Sequence, residues 1–204
     1  ICGGNLYNGE GKPTLSYDKH LLTGRVARHN VRTGVVLFRA IFKRLLCEHF
    51  NYSGKPMRVG GIIGADFMVR KDCFDRVGKF NENIFMYGEE TEFTWRVVHL
   101  TDYTVMSVPE AEMIHYEGGG AVSENLIYNE CKETIVLTGI SKYLKTCCGK
   151  NDVYLYLKSR MIAAKKRMLF YRVFGKKNRA EVFKKKAAFF NKKLKLFDEF
   201  YSAL

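Results

Sequence analysis

The sequence predicts an α/β body followed by a helical C-terminal extension, and two observations carry the prediction. Short β-prone segments lie in the first part of the chain and helical patterns fill the part beyond residue 120, an order that favours this class. Charge divides the chain in the same way. Of 34 Lys and Arg and 21 Asp and Glu in 204 residues, the last 54 residues hold 15 and 4, a net charge of +11. An extension with that charge is predicted to contact an anionic surface.

Composition excludes several classes of protein. With 47% hydrophobic and 27% charged residues, the chain can bury a core and is not predicted to be disordered. No apolar run approaches the roughly 18 residues of a membrane span. The six cysteines form no C-x-x-C pair, which is typical of reduced thiols in a cytosolic protein. Because the chain opens on Ile1 without a signal-peptide pattern, we expect it to be a piece of a longer protein.

The first half of the chain alternates turns with short apolar runs. Residues 1–18 hold β-prone pieces separated by Asn8-Gly9 and by Gly11-Lys12-Pro13, which are turn sequences. The spacing of apolar residues predicts an amphipathic helix over 35–50. The apolar run bounded by glycines at 58–70 predicts a buried strand.

Helical patterns become more frequent further along the chain. A short helix is predicted to begin near Asp72 and to end before Gly78, and a second helix to begin near Glu89, where acidic residues precede an apolar stretch. The later elements are predicted as strands over about 103–108 and 111–116, a glycine hinge at 118–120, and helices over roughly 123–147, 152–174 and 178–203.

The helix predicted near Glu89 starts with a cluster of acidic residues. Glu89, Glu90 and Glu92 fall in its first turn, where carboxylates interact favourably with the positive end of the helix dipole. Arg96 follows Glu92 by four residues, the spacing of a helical ion pair. By themselves these residues indicate a structural role, in which Arg96 pairs with Glu92.

The order of motifs around this helix adds a second interpretation. The motifs are Gly64-Ala65, Gly78-Lys79-Phe80-Asn81-Glu82, Phe85-Met86-Tyr87-Gly88-Glu89-Glu90-Thr91-Glu92, Arg96, Pro109 and His115. Over residues 1–120 this series resembles the second half of the catalytic domain of family 2 glycosyltransferases with a GT-A fold, especially the bacterial rhamnosyltransferase-like members. Asn81, Glu90 and Glu92 stand where that family generally has aspartates.

The resemblance implies inverting transfer of a sugar from a nucleotide-sugar donor to a glycan or polyprenyl-linked acceptor in surface-polysaccharide synthesis. Such a transfer needs a base for the acceptor hydroxyl. The family's base falls on Glu90, with Glu89 beside it to hydrogen-bond the acceptor or orient the loop. Gly88 would let the acceptor approach the backbone, and Gly64-Ala65 would line the substrate site. Tyr87 either packs against a sugar ring or joins a hydrophobic plug under the loop.

The resemblance also implies a divalent metal, Mn²⁺ or Mg²⁺, on the donor diphosphate. Its main ligands, an Asp-x-Asp motif, are expected outside this chain, in a nucleotide-binding half upstream. Within the chain His115 is the candidate metal ligand, and the alternative is a structural histidine at a strand end. The glycines at 118–120 are either the pivot of a mobile lid or a domain linker.

The basic extension combines many lysines with an apolar stripe. Phe190, Leu194, Phe197 and Tyr201 repeat at helical spacing. Three alternatives stay open: helices that pack on each other and on the body, helices that lie on anionic lipid, and helices that bind nucleic acid. Contact with an anionic membrane through residues 151–204 is the functional prediction. Nucleic acid is not predicted as a partner, because no groove-reading motif accompanies the charge.

Two domains are therefore expected. Residues 1–120 are predicted to form the acceptor-side half of a GT-A catalytic domain, and residues 121–204 a basic helical extension. The leading functional hypothesis is the glycosyltransferase, which this fragment alone is not expected to complete. The alternative is a non-catalytic, GT-A-like scaffold or binding module associated with a membrane. Both hypotheses place the protein in the cytoplasm, peripheral on the inner face of the membrane.

Overall fold

The computed structural model describes residues 1–33, 49–116 and 128–204. The described chain divides into two compact units. Residues 1–22 and 49–116 form the α/β unit, and residues 23–33 and 128–204 form the helical unit. The predicted mixed α/β class is confirmed. Nearly all of the predicted helix over 35–50, and the glycines at 118–120, lie outside the described residues.

The strands of the α/β unit form a small mixed sheet and a separate two-stranded ribbon. They are β1 (Cys2–Tyr7), β2 (Tyr17–Asp18), β3 (Met57–Arg58), β4 (Gly61–Ile62) and β5 (Met106–Ile114). In the sheet β5 lies between β1 and β3, parallel to β1 and antiparallel to β3. β2 and β4 form the antiparallel ribbon. The prediction of short strands in residues 1–18 is confirmed.

Two strand predictions are wrong in detail. The run at 58–70 is not one strand but β4 flanked by the end of β3 and by a 3-10 helix, Gly64–Asp66. The backbone at Gly60, between β3 and β4, packs closely on another segment, since a Cβ atom there would lie 2.4 Å from the backbone carbon of His20. The two strands predicted at 103–108 and 111–116 are the single strand β5. Its register against β1 shifts between Gly3 and Asn5, and this irregularity accommodates Pro109, which has no N–H to donate.

The described helices fall in both units. They are α1 (Gly24–Arg32), α2 (Lys71–Val77), α3 (Glu89–Leu100), α4 (Glu130–Cys147), α5 (Lys150–Val173), α6 (Lys177–Lys195) and α7 (Phe197–Ser202). The α/β unit contains α2 and α3. Two predictions are confirmed here: α2 ends before Gly78, whose φ is +78°, and α3 begins at Glu89.

The core of the α/β unit anchors α3. Phe93 and Val97 of α3 are fully buried and share a cluster with Ile62, Cys73 and Val105. The last three residues come from β4, from α2 and from the segment before β5, so the apolar face of α3 shares one core with these three parts of the unit. Burial of this face fixes where the first turn of α3 emerges at the surface.

The helical unit is built on a hairpin of α5 and α6, with α4 and α7 beside it. The helix predicted over 178–203 is interrupted at Leu196, which ends α6 and precedes α7. The predicted helix over 152–174 is confirmed as α5, and that over 123–147 is described from Glu130 onward. The grouping differs from the predicted division at residue 120 in one element, because α1 packs on α5.

Polar contacts fix α1 on α5 at both of its ends. The Thr23 hydroxyl accepts a hydrogen bond from the amide of Val26, and Asp152 of α5 accepts one from the amide of Gly24 at 2.9 Å. At the other end the Lys166 ammonium donates to the carbonyl of Val31 at 2.7 Å. An acidic group therefore lies at the N-terminus of α1 and a basic one at its C-terminus, which is the arrangement that the helix dipole favours.

The apolar stripe of the extension packs within the helical unit. Phe190 is buried, while Leu194, Phe197 and Tyr201 are half-buried. The ring of Phe197 lies 5.4 Å from that of Tyr154 on α5. The stripe therefore contacts other helices of this unit, as the alternative of helices packed on each other predicts, and the predicted contact of the extension with an anionic membrane stays a prediction. No helix among the described residues is long and apolar enough to cross a membrane.

Candidate functional site

The backbone makes an unusual reversal immediately before α3. Tyr87 has a φ of +66° and Gly88 a φ of +110°, so two successive residues adopt the left-handed half of conformational space. Gly88 tolerates this because it has no Cβ, whereas Tyr87 incurs a strain of about 1–3 kcal/mol. Such strain is concentrated at functional positions in proteins. The reversal brings Glu89 and Glu90 to the positive end of α3.

The structure brings Glu90 next to Gly64. A methyl group placed on Gly64 would lie 3.8 Å from Cγ of Glu90, so the 3-10 helix and the first turn of α3 meet at these two residues. The carboxylate of Glu90 accepts hydrogen bonds from the Gly88 amide at 3.3 Å and from the Thr91 hydroxyl at 3.1 Å. Gly64 is exposed, and its missing side chain leaves one side of the Glu90 carboxylate open.

Glu89 lies in a different environment from Glu90. Burial raises the pKa of its carboxyl above the ordinary value of 4.5, and the neighbouring charge of Glu90 raises it further. The backbone amides of Glu89 and Tyr87 act in the opposite direction. Among the described residues no hydrogen-bond donor reaches the buried Oε2 atom of Glu89. A carboxyl group whose pKa is raised by burial and by a neighbouring carboxylate is a frequent feature of functional sites.

The predicted pair of Glu92 and Arg96 is confirmed. The guanidinium donates two hydrogen bonds to the Glu92 carboxylate, both at 2.8 Å. It also donates to the carbonyls of Val77 and Lys79. Arg96 therefore connects α3 to the loop after α2, and it positions the loop that leads to Tyr87.

The aromatic loop before α3 faces solvent. Phe85 is 83% exposed, and Met86 and Tyr87 are also exposed. A hydrophobic plug under the loop is therefore not formed by Phe85, and the Tyr87 ring stays accessible for contact with a ligand. Ala65, the other predicted substrate-binding residue, is half-buried in the 3-10 helix beside Gly64.

His115 lies immediately after β5. Its amide donates to the carbonyl of Tyr7 at 2.8 Å, which extends the pairing of β5 with β1 by one residue. Across the described ranges no three His, Cys, Asp or Glu side chains cluster in a way that could hold a metal ion. The residues present therefore do not by themselves form a metal site, and we assign no chemical step to a metal. The role of His115 as a ligand stays a prediction.

Two supporting residues were not predicted. Thr91 donates to Glu90, and Asp66 accepts from the amide of Gly4 in β1, which attaches the 3-10 helix carrying Gly64 to the sheet. Thr91 could have been found from its place in the first helical turn, where hydroxyl groups bond neighbouring polar groups. The contact of Asp66 with Gly4 joins residues 62 positions apart, and no local sequence signal predicts it.

The arrangement can accept a proton at one carboxylate and hold a hydroxyl group near it. Glu90 is a half-buried acid beside the unsubstituted Gly64, Glu89 is a half-buried acid next to it whose Oε2 atom is buried, and the exposed Tyr87 ring lies on the same loop. These are the elements of general base catalysis on an alcohol. Comparison with protein-family models, with curated proteins and with solved structures gives no match.

Proposed function

We propose that the start of α3 is the acceptor side of an inverting glycosyltransferase site, with Glu90 as the general base. The observation that supports the proposal is that Glu90 lies beside Gly64. A Cβ atom built on Gly64 would lie 3.8 Å from Cγ of Glu90. A carboxylate that borders a residue without a side chain has room for an acceptor hydroxyl at hydrogen-bonding distance. The hydrogen bonds from Gly88 and Thr91 hold the carboxylate in one orientation.

The proposed step is a single displacement. The acceptor oxygen forms a bond to the anomeric carbon of the donor sugar while the bond from that carbon to the nucleoside diphosphate breaks. The electron pair of the broken bond leaves with the diphosphate, and the hydroxyl proton passes to Glu90. Glu89 hydrogen-bonds the acceptor or supports the loop, and Tyr87 offers its ring to a sugar.

The test is a transfer assay on the full-length protein with a panel of nucleotide sugars. Glu90→Gln is expected to lower turnover by about a hundredfold or more with little change in donor affinity, because a general base contributes roughly 10²- to 10⁴-fold. Glu110→Gln, which neutralises an exposed acid on β5, is the matched control and should leave turnover unchanged.

The outcome separates the two hypotheses drawn from the sequence. Transfer that depends on Glu90 but not on Glu110 supports the enzyme. Absence of transfer with every donor, or turnover that is the same in wild type and Glu90→Gln, would favour the non-catalytic scaffold.

A further inference from the structure

We propose that the turn joining α5 and α6 is a docking surface for an anionic lipid bilayer, into which three apolar side chains insert. This surface, which we call the hairpin tip, comprises Leu169, Val173 and Phe174 together with the basic residues around them. The proposal refines the predicted membrane contact of residues 151–204 to one place. It does not depend on the proposed sugar transfer, since no residue of the start of α3 takes part.

The hairpin tip exposes an apolar patch. Leu169, Val173 and Phe174 are 61%, 74% and 61% exposed. Leu169 and Val173 are four residues apart on α5 and so lie on one face of the helix, and Phe174 follows directly at the end of α5. Clustered exposed apolar side chains on a protein surface mark contacts with partners or membranes.

The chain on both sides of this patch is basic. Between Asp152 and Glu181 the sequence has nine Lys and Arg and no Asp or Glu. Arg172, Lys176, Lys177 and Arg179 are all exposed, and none of the four forms an ion pair with another described residue. The patch therefore combines insertable side chains with uncompensated positive charge, the two properties that bind an amphipathic surface to anionic lipid.

The hairpin tip is preformed. The amide of Lys176 donates to the carbonyl of Tyr171 at 2.8 Å, and the ring of Phe174 lies 4.6 Å from that of Phe170. The ring of Tyr171 stacks on that of Phe183 across the hairpin at 5.5 Å. Because the turn is already ordered by these contacts, insertion requires little additional loss of conformational entropy.

A lipid bilayer fits this surface better than its competitors do. Nucleic acid would satisfy the basic residues, but it has no hydrocarbon layer for Leu169 and Val173. A second copy of this chain would bring like charges together at the hairpin tip, which disfavours association. An anionic bilayer supplies both the negative headgroups and the apolar layer beneath them.

The test measures binding of the chain to vesicles of phosphatidylserine and phosphatidylcholine, with vesicles of phosphatidylcholine alone as the neutral reference. Point variants are preferable to truncation at residue 150, because removing α5 would also remove the packing partner of α1. The apolar variant is Leu169→Ser with Val173→Ser, and the charge variant is Lys176→Glu with Lys177→Glu. All four side chains are exposed, so neither variant is expected to perturb folding, and circular dichroism checks this.

Matched controls make the same chemical changes elsewhere in the helical unit. Ile135→Ser with Leu196→Ser removes two other exposed apolar side chains, and Lys185→Glu with Lys192→Glu reverses two other exposed charges. Each basic residue near an anionic surface contributes about fivefold in binding. The charge variant should therefore bind at least about tenfold more weakly, and the apolar variant should lose a similar amount because two side chains no longer enter the hydrocarbon layer. The controls should stay within about threefold of wild type.

A third variant reports insertion directly. Phe174→Trp adds a second tryptophan to the single one in the chain, and its emission should shift to the blue on binding and be quenched by brominated lipid. If the tip variants and the controls lose vesicle binding equally, the proposal is overturned, because binding then depends on the overall positive charge and not on the hairpin tip. Binding to duplex DNA without binding to vesicles, or a loss of self-association in the tip variants, would overturn it in favour of nucleic acid or of a second copy.

Discussion

The two units of the molecule each bury a glutamate, and they neutralise it in different ways. In the α/β unit Glu92 is 3% exposed and is paired with Arg96 on the same helix, one turn away. In the helical unit Glu133 is 9% exposed, and its partners are Arg160 at 3.5 Å and Lys186. These partners stand on α5 and α6, so one carboxylate of α4 connects three helices.

The difference shows two uses of the same chemistry. The pair in the α/β unit is local, and its arginine uses the remaining donors to hold the loop before the candidate site. The cluster in the helical unit is long-range and fixes how helices pack. Removing one partner of a buried ion pair destabilises a structure strongly, because the other charge is left buried without compensation. Mutation of the pair in the α/β unit should therefore loosen the loop before the candidate site, whereas mutation of the cluster in the helical unit should weaken helix packing. The two losses of stability should also differ in size.

Arg96→Met is expected to have the largest effect on stability. It leaves the buried Glu92 carboxylate without a cation and two loop carbonyls without a donor, and so should lower the free energy of unfolding by about 3–5 kcal/mol. Urea unfolding followed by fluorescence measures it, because the one tryptophan of the chain, Trp95, lies on α3.

Arg76→Met is the control for this substitution, since Arg76 forms an exposed ion pair with Asp102 at 3.3 Å. Exposed pairs contribute less than about 1 kcal/mol. Equal destabilisation by the two substitutions would show that the buried pair of Arg96 and Glu92 contributes no more to stability than an exposed ion pair.

Glu133→Gln should have an intermediate effect, about 1–3 kcal/mol. The cost is smaller than for Arg96→Met because the two cations left behind are only half-buried and can turn towards water. Far-ultraviolet circular dichroism follows this change best, since most helical residues belong to the helical unit. Glu130→Gln, an exposed acid at the start of the same helix, should change stability by less than about 1 kcal/mol. A transition seen first by Trp95 would contradict the assignment of Glu133 to the helical unit.

Glu89→Gln should change the free energy of unfolding least, and it should raise that free energy rather than lower it. Burial raises the pKa of Glu89 in the folded state above its ordinary value of 4.5, so folding disfavours its charged form. The loss of folding stability that this causes is absent at low pH, grows as the pH rises past about 4.5, and reaches its full size above the pKa of the folded state. The variant should therefore be more stable than wild type above this range, with the difference shrinking on acidification.

Carbon-13 NMR of the glutamate carboxyl groups checks the cause of this effect. Because the charge of Glu90 contributes to the shift, Glu90→Gln should move the pKa of Glu89 back towards its ordinary value. A titration of Glu89 below 4.5 in the wild type would show that its carboxyl is not desolvated.

The candidate site shows where prediction from sequence stops. The positions of α2 and α3, the glycine that ends α2 and the pair of Glu92 and Arg96 were all predictable, because each depends on residues within about one helical turn of one another. The break at Gly60 and the contact of Asp66 with Gly4 were not, since each depends on a segment tens of residues away. The apolar stripe at 190–201 was found correctly as a pattern, but the pattern is the same for a helix that packs on protein and for one that lies on lipid.

The sequence by itself determined the mixed α/β class, the helices around the candidate site and the strongly basic character of the last 54 residues. Only the tertiary structure decided that Glu90 lies beside Gly64 and that Glu89 is partly buried. It also decided that α1 joins the C-terminal helices, and that Leu169, Val173 and Phe174 are exposed while the stripe is buried or half-buried. The physical reason is the range of the interactions. Helix periodicity, capping and charge are properties of neighbouring residues, whereas burial and the approach of Glu90 to Gly64 depend on which distant segments pack together.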